Sequence, residues 1–166
     1  MNIELEQWKS NDRARLAQIC NQIDRTYLSN RVPNPYTLAD ADWWLNQVLE
    51  REGKTAIYRK IIVDNAIVGN ISVEQKGDVR HHDAEIGYYL IPDVSSRGIM
   101  TEATRQICAI AFEKLAIIRI TGLVYEPNMP SRRVLEKNDF TLEGLMKNAI
   151  TKDKHTYNLC LYGKLK

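Results

Sequence analysis

The sequence predicts a mixed α/β domain: a mostly antiparallel seven-stranded sheet with helices on both faces. Three observations predict it. The hydrophobic period switches along the chain so that elements follow in the order β-α-α-β-β-β-α-β-α-β-β. Three consecutive strands are joined by short turns, which excludes a doubly wound parallel fold, because parallel neighbours need long crossovers. Only the stretch from Ala84 to Val124 places strand, helix and strand at crossover length, so those two strands are expected to run parallel.

The first strand is expected over Ile3 to Trp8, followed by a helix from Asp12 to Ile23 with Leu16, Ile19, Cys20 and Ile23 at helical spacing. Pro33 and Pro35 break the chain into a loop. Thr37, with Asp40 three residues on, forms a capping box and starts a helix whose apolar face is read as Trp43, Trp44, Val48 and Leu49. From Thr55 the period becomes two. Ile57 to Val63 and Ile67 to Val73 pair around Asp64 and Asn65, and Ala84 to Ile91 forms the third strand. A helix from about Met100 carries Cys108, Ala111, Phe112, Leu115 and Ala116 on one face. A strand over Ile117 to Val124, a short helix over Met129 to Lys137, and strands over Phe140 to Ala149 and Thr156 to Leu165 complete the order.

Composition excludes several classes of protein. At 44% hydrophobic and 27% charged residues, the 166-residue chain is an ordinary globular one and is read as one domain over residues 1–166. It is long enough to bury roughly two thirds of its unfolded surface without a disulfide or metal staple. With 23 basic and 21 acidic residues, it lacks the charge excess expected of a nucleic-acid partner or a polybasic membrane anchor. Cys20, Cys108 and Cys160 are far apart, and His81 and His82 are taken to point to opposite sides of an extended loop. Neither a disulfide framework nor a metal site is expected. The N-terminus has no signal-peptide core, and the run from Ile107 to Phe112 is too short to span a bilayer, so a reduced cytoplasmic protein is expected.

The chemistry concentrates at the carboxyl end of the third strand. There Pro92 stops strand pairing, Gly98 permits unusual backbone geometry, and a helix opens at once. The unpaired N–H groups and positive dipole end of that helix, with Ser95, Ser96, Arg97 and Thr101 nearby, suit a pyrophosphate. A single glycine also fits a plain turn, and Thr101 a plain cap. It is neither a dinucleotide fingerprint nor a P-loop.

Gly98-Ile99-Met100-Thr101-Glu102-Ala103 does not stand alone. Farther on, Asn128, Ser131, Val134, Glu136, Lys137 and Phe140 match Asn-x-x-Ser-x-x-Val-x-Glu-Lys-x-Gly-Phe, with Asp139 in the glycine's place. On these two motifs and the element order the whole chain resembles the GNAT N-acetyltransferases, within them the RimJ/RimL-type branch.

The resemblance implies acetyl-CoA as co-substrate, no metal, and transfer of acetyl to a primary amine in a ternary complex. The amine is most readily a protein N-terminal α-amine. A small amine such as an antibiotic, polyamine or amino-acid derivative is the alternative within the enzyme class, and a non-catalytic acetyl-CoA-binding module the alternative outside it. The cofactor is expected between splayed parallel strands, opened by a bulge near Tyr88 to Ile91. Its pantetheine would bond main-chain groups of Tyr89, Leu90 and Ile91, and its phosphates the N–H groups of Ser96, Arg97, Gly98, Ile99, Met100 and Thr101. Asn128 would hold it from the other side. A monomer or homodimer is expected, with no nucleic acid or membrane partner.

Three roles are assigned. A main-chain N–H near Leu90 serves as oxyanion donor. The resemblance points to Ser131 as the acid for the departing thiolate, although its position equally suits a first-turn serine, and Asn128 an N-cap. Glu85, aligned by alternation with Gly87, Tyr89 and Ile91, is the candidate base, directly or through water, or else a surface carboxylate. The tyrosine and glutamate used by other members fall here on Leu135 and Leu123. Tyr157, alternating with Leu159 and Leu161, is read as core or groove wall. Acceptor choice is assigned to the loop from Asp24 to Tyr36 and the turn from Ile150 to His155, whose Arg25, Arg31, Lys152, Lys154 and His155 form a mildly basic rim.

Overall fold

The structure is a computed structural model that describes residues 1–166. Its elements are β1 (Ile3–Glu6), α1 (Arg13–Gln22), α2 (Leu38–Arg51), β2 (Ala56–Val63), β3 (Ala66–Gln75), β4 (Asp83–Leu90), α3 (Ile99–Lys114), β5 (Arg119–Tyr125), α4 (Met129–Glu136), β6 (Thr141–Lys152) and β7 (His155–Leu165). The strands form a seven-stranded sheet in the order β1-β2-β3-β4-β5-β7-β6. Every neighbouring pair is antiparallel except β4 and β5, joined by α3 as the crossover length required.

Local chemistry accounts for the joints. Asp64 and Asn65 take φ of 47° and 68°, the paired left-handed values of a two-residue hairpin turn, and Asp153 and Lys154 repeat this with 50° and 65°. At α2, Thr37 Oγ1 accepts from the Asp40 N–H at 3.1 Å while Asp40 Oδ2 accepts from the Thr37 N–H at 2.8 Å, closing the capping box.

The helices divide between the two sheet faces. α3 buries Ile99, Ile107, Cys108 and Ala111 against sheet residues that include Ile57, Ile71, Val73 and Ile86. On the other face α1 and α2 enclose a second cluster with Trp8, Leu16, Ala41, Leu45, Val48 and Tyr58. The buried face of α2 is therefore Ala41, Leu45 and Val48, with Trp44 edge-on to Trp8 and Tyr58 at 5.6 and 5.8 Å. Trp43 is 66% exposed and Leu49 is also outside, contrary to expectation. The small Ala41, invisible to a reading weighted by side-chain size, defines the stripe that faces inward. No helix is long and apolar enough to cross a membrane.

Candidate active site

β4 and β5 pair at only three positions, Asp83↔Arg119, Ala84↔Ile120 and Glu85↔Thr121. Beyond these, β4 stays with β3 as far as Leu90↔Gly69, while β5 follows β7 to Tyr125↔Leu159, so the sheet opens between them. The expected bulge near Tyr88 to Ile91 is not the cause, since the β3–β4 register is unbroken and the irregularity nearby lies between β2 and β3 at Ile61 and Ile62. The opening coincides with α4. A Cβ on Gly122 would lie 2.7 Å from Leu135 Cδ1, so the absence of a side chain at Gly122 makes room for this leucine of α4 against β5 at the split.

The open edge of β4 has a defined polarity. The Ile91 N–H donates to Val68 O at 2.9 Å, and a Cβ on Gly69 would meet Tyr89 O at 2.3 Å, so the main chains of Tyr89 and Ile91 face β3. By strand alternation those of Tyr88 and Leu90 face the gap. Leu90 thus turns its N–H toward the gap. Tyr89 and Ile91 do not present theirs, because β3 already occupies that side.

At the carboxyl end of β4, Ser96 and Gly98 adopt left-handed φ of 64° and 76°. The N–H groups from Ser96 to Thr101 meet no protein acceptor, and the first bond of α3 runs from the Glu102 N–H to Gly98 O at 3.1 Å. Ile99 and Met100 are buried, anchoring the helix start while their amides stay free, and Arg97 is exposed. Glu102 is held down to about 2 by hydrogen bonds from Arg105 and Gln106, which keeps its charge paired beside this anion-attracting helix end. A run of unoccupied amides with a free strand edge next to it is the donor set that a pyrophosphate joined to an amide-bearing arm requires. The residues fit coenzyme A.

On the face bearing Glu85, a cleft of about 650 Å³ is lined from the sheet by Ser72, Glu74, Glu85 and Gly87, and reaches Ser131. Glu85 is exposed and makes no hydrogen bond or ion pair, whereas Glu74 opposite it is bound by Arg51 at 2.7 Å. Glu85 is therefore the free carboxylate at the mouth of the split. Tyr27 packs edge-on against Tyr125 and Tyr157 with centroids 5.6 and 6.1 Å apart; Tyr27 and Tyr125 line the cleft, and Tyr157 stands behind them in the aromatic cluster.

The loop after α1 meets the β6–β7 hairpin here, through a tie absent from the sequence reading. Lys152 Nζ donates to Leu28 O at 2.6 Å and also to Arg25 O. Arg25 in turn donates to the carbonyls of Cys20, Val32 and Pro33 at 2.6–2.9 Å. Two members of the expected basic rim are thus framework, and Arg31 remains as a cation lining the cleft.

Ser131 stands in the first turn of α4, its N–H donating to Oδ1 of the N-cap Asn128 at 3.4 Å. Its Oγ lies 2.8 Å from Tyr88 Oη, which alternation places on the Ile86 side of β4. Burial pushes the Tyr88 hydroxyl up to about 12 against the lowering effect of the serine bond. Tyr88 was missed as a side chain. Its alternation with Ile86 and Leu90 reads simply as core, and nothing local links it to a helix 43 residues away.

Other assignments resolve simply. All three thiols are buried and raised by burial, Cys108 to about 12, which leaves no ready nucleophile. The His81 and His82 rings lie 4.1 Å apart rather than on opposite sides, because a helical turn over Asp78–Arg80 curls the loop. Each binds a main-chain carbonyl, and no group of three or more potential metal ligands forms. Asp139 takes φ of 63°, which explains why glycine is usual there.

The likenesses agree with this geometry. The chain is similar to the putative ribosomal N-acetyltransferase YdaF of Bacillus subtilis (strain 168), 29% identical over 123 residues that cover 74% of this chain and 65% of YdaF. The chain therefore spans just under two thirds of that relative's length. Among solved structures, the ribosomal-protein-S5-alanine acetyltransferase of Vibrio fischeri superposes with a TM-score of 0.88 at 22% identity, covering 99% of this chain and 93% of the other. RimL, the ribosomal L7/L12 α-N-protein acetyltransferase solved with coenzyme A, gives 0.85 at 20% identity and covers 99% and 94%. With the split strands and free helix amides in the order its motifs foretold, and the acetyltransferase (GNAT) domain model matching residues 2–141, the chain belongs to the GNAT acetyltransferase family.

Proposed function

We propose that the protein is an acetyl-CoA-dependent N-acetyltransferase acting on protein N-terminal α-amines by direct transfer. One observation carries the reading: the pairing of β4 with β5 ends at Glu85↔Thr121, so the rest of β4 is open on that side up to the turn that leads into the helix end whose amides are free. The same break leaves a strand edge for an amide-bearing arm and opens a path from the Glu85 face to Ser131.

Bound acetyl-CoA supplies an activated acetyl thioester. The N–H groups from Ser96 to Thr101 take its phosphates without needing a basic patch, in keeping with the chain's near balance of charge. The Leu90 N–H, facing the gap, is placed to stabilise charge developing on the acyl oxygen. Glu85, free of partners, accepts the proton of the incoming ammonium directly or through one water. Ser131 Oγ–H supplies a proton to the departing sulfur as the C–S bond breaks, and the second proton shed by the newly acetylated nitrogen restores the serine hydroxyl. The catalytic trio is Glu85, Leu90 and Ser131, and Asn128 holds Ser131 by capping its helix.

An α-amine, with pKa about 8, loses its proton far more easily than a lysine at about 10.4, and a single exposed carboxylate suits the easier task. The names of YdaF, RimL and the Vibrio fischeri enzyme all point to ribosomal or ribosomal-protein acceptors for those proteins, which supports the choice. The test is a competition. Peptides with free N-termini are expected to be acetylated at least tenfold faster than the same peptides blocked at the N-terminus but carrying lysine, and faster than polyamines or aminoglycosides. Preference for a small amine would overturn the acceptor assignment.

A further inference from the structure

Ser131 has a hydroxyl partner that the family motif does not contain. Tyr88 Oη lies 2.8 Å from Ser131 Oγ and 3.3 Å from Ser131 O, at the edge of the α3 side of the sheet. Two hydrogen arrangements fit these distances. In one, Tyr88 donates to the Ser131 carbonyl and the serine hydrogen points back at the tyrosine. In the other, Tyr88 donates to Oγ, and the serine hydrogen must turn away, toward the cleft that Ser131 lines.

Only the second arrangement lets Ser131 protonate a departing sulfur. We propose that Tyr88 is a positioning residue that sets the direction of the Ser131 hydroxyl hydrogen, donating to Oγ so that the serine proton faces the cleft. This rests on the reading of Ser131 as the acid. Tyr88 sits where its own main chain faces the gap, so one residue sends its side chain to α4 and its backbone to the open edge. The elevated pKa of Tyr88, about 12, keeps its proton in place so that it remains a donor across the working pH range.

The experiment is a double-mutant cycle with Tyr88→Phe, which keeps the ring, and Ser131→Ala. Tyr88→Phe is expected to lower kcat about tenfold, the effect of one neutral hydrogen bond, with the KM for acetyl-CoA unchanged. In the Ser131→Ala background the same change is expected to alter kcat less than twofold. A similar fall in both backgrounds would show that Tyr88 acts independently of Ser131 and overturn the proposal, as would full activity of Tyr88→Phe. Should Ser131→Ala alone retain full turnover, the acid assignment fails and this inference with it. An impaired Ser131→Ala beside a fully active Tyr88→Phe removes only the tyrosine's role.

Discussion

Glu85 and Thr121 form the last pairing between β4 and β5, and one residue further on each strand belongs to a different half of the sheet. Glu85 carries no partner of its own, while its cross-strand neighbour Glu74 is held by Arg51. The free carboxylate and the start of the opening therefore coincide at one residue.

Glu85→Gln is expected to lower kcat about a hundredfold or more, the usual range for removing a positioned proton acceptor, with acetyl-CoA affinity unchanged. The exposed side chain has no hydrogen bond or ion pair to lose, so the fold should persist. A wild-type pH–rate profile in this variant would leave solvent or the acceptor's own ionisation as the proton sink.

Gly98→Glu is expected to weaken acetyl-CoA binding about a hundredfold by setting a carboxylate among amides meant for phosphate. Nothing lies within 4 Å of the position a Cβ would take, so the cost to stability is confined to the left-handed backbone at φ 76°, about 1–2 kcal/mol. Calorimetry would decide it, and retained affinity in a folded variant would disprove the phosphate-loop assignment.

Lys152→Met should release the loop after α1 from the β6–β7 hairpin by removing the donor to the Arg25 and Leu28 carbonyls. The KM for the acceptor is expected to rise about tenfold, given the misplacement cost typical of a positioning wall, while the KM for acetyl-CoA stays constant. Equal changes in both constants would argue that the tie supports the fold as a whole and not the acceptor side.

Asp139→Gly should stabilise the protein, because Asp139 is held at φ 63° where glycine is unstrained. Its 3.7 Å ion pair with Lys164 is long and its own carboxylate is almost fully exposed, so the pair contributes little. Relief of about 1 kcal/mol would raise Tm by about 2–4 °C. A fall in Tm would mean that the Asp139 side chain stabilises the fold by more than its left-handed backbone costs.

Much of this was legible before the structure. The hairpin at Asp64 and Asn65, the capping box of Thr37 and Asp40, and the single crossover that makes β4 and β5 parallel all depend on residues close in sequence or on element order. What stayed hidden depends on distance. The Tyr88–Ser131 and Lys152–Leu28 contacts join segments that no period connects, and so does the close seat of Leu135 over Gly122 beside the strand opening. The direction of the main chain was also beyond reach, since the roles of Tyr89 and Ile91 turned on which side of β4 already had a partner.

The most direct test of acetyl transfer is release of the coenzyme A thiol when the intact protein is given acetyl-CoA with and without N-terminal peptides, alongside calorimetric binding of the cofactor. Release is predicted to depend on the peptide, to saturate with it, and to leave the product acetylated at its first residue. Tight binding of acetyl-CoA with thiol release no faster than background hydrolysis, for every peptide and amine tried, would contradict it.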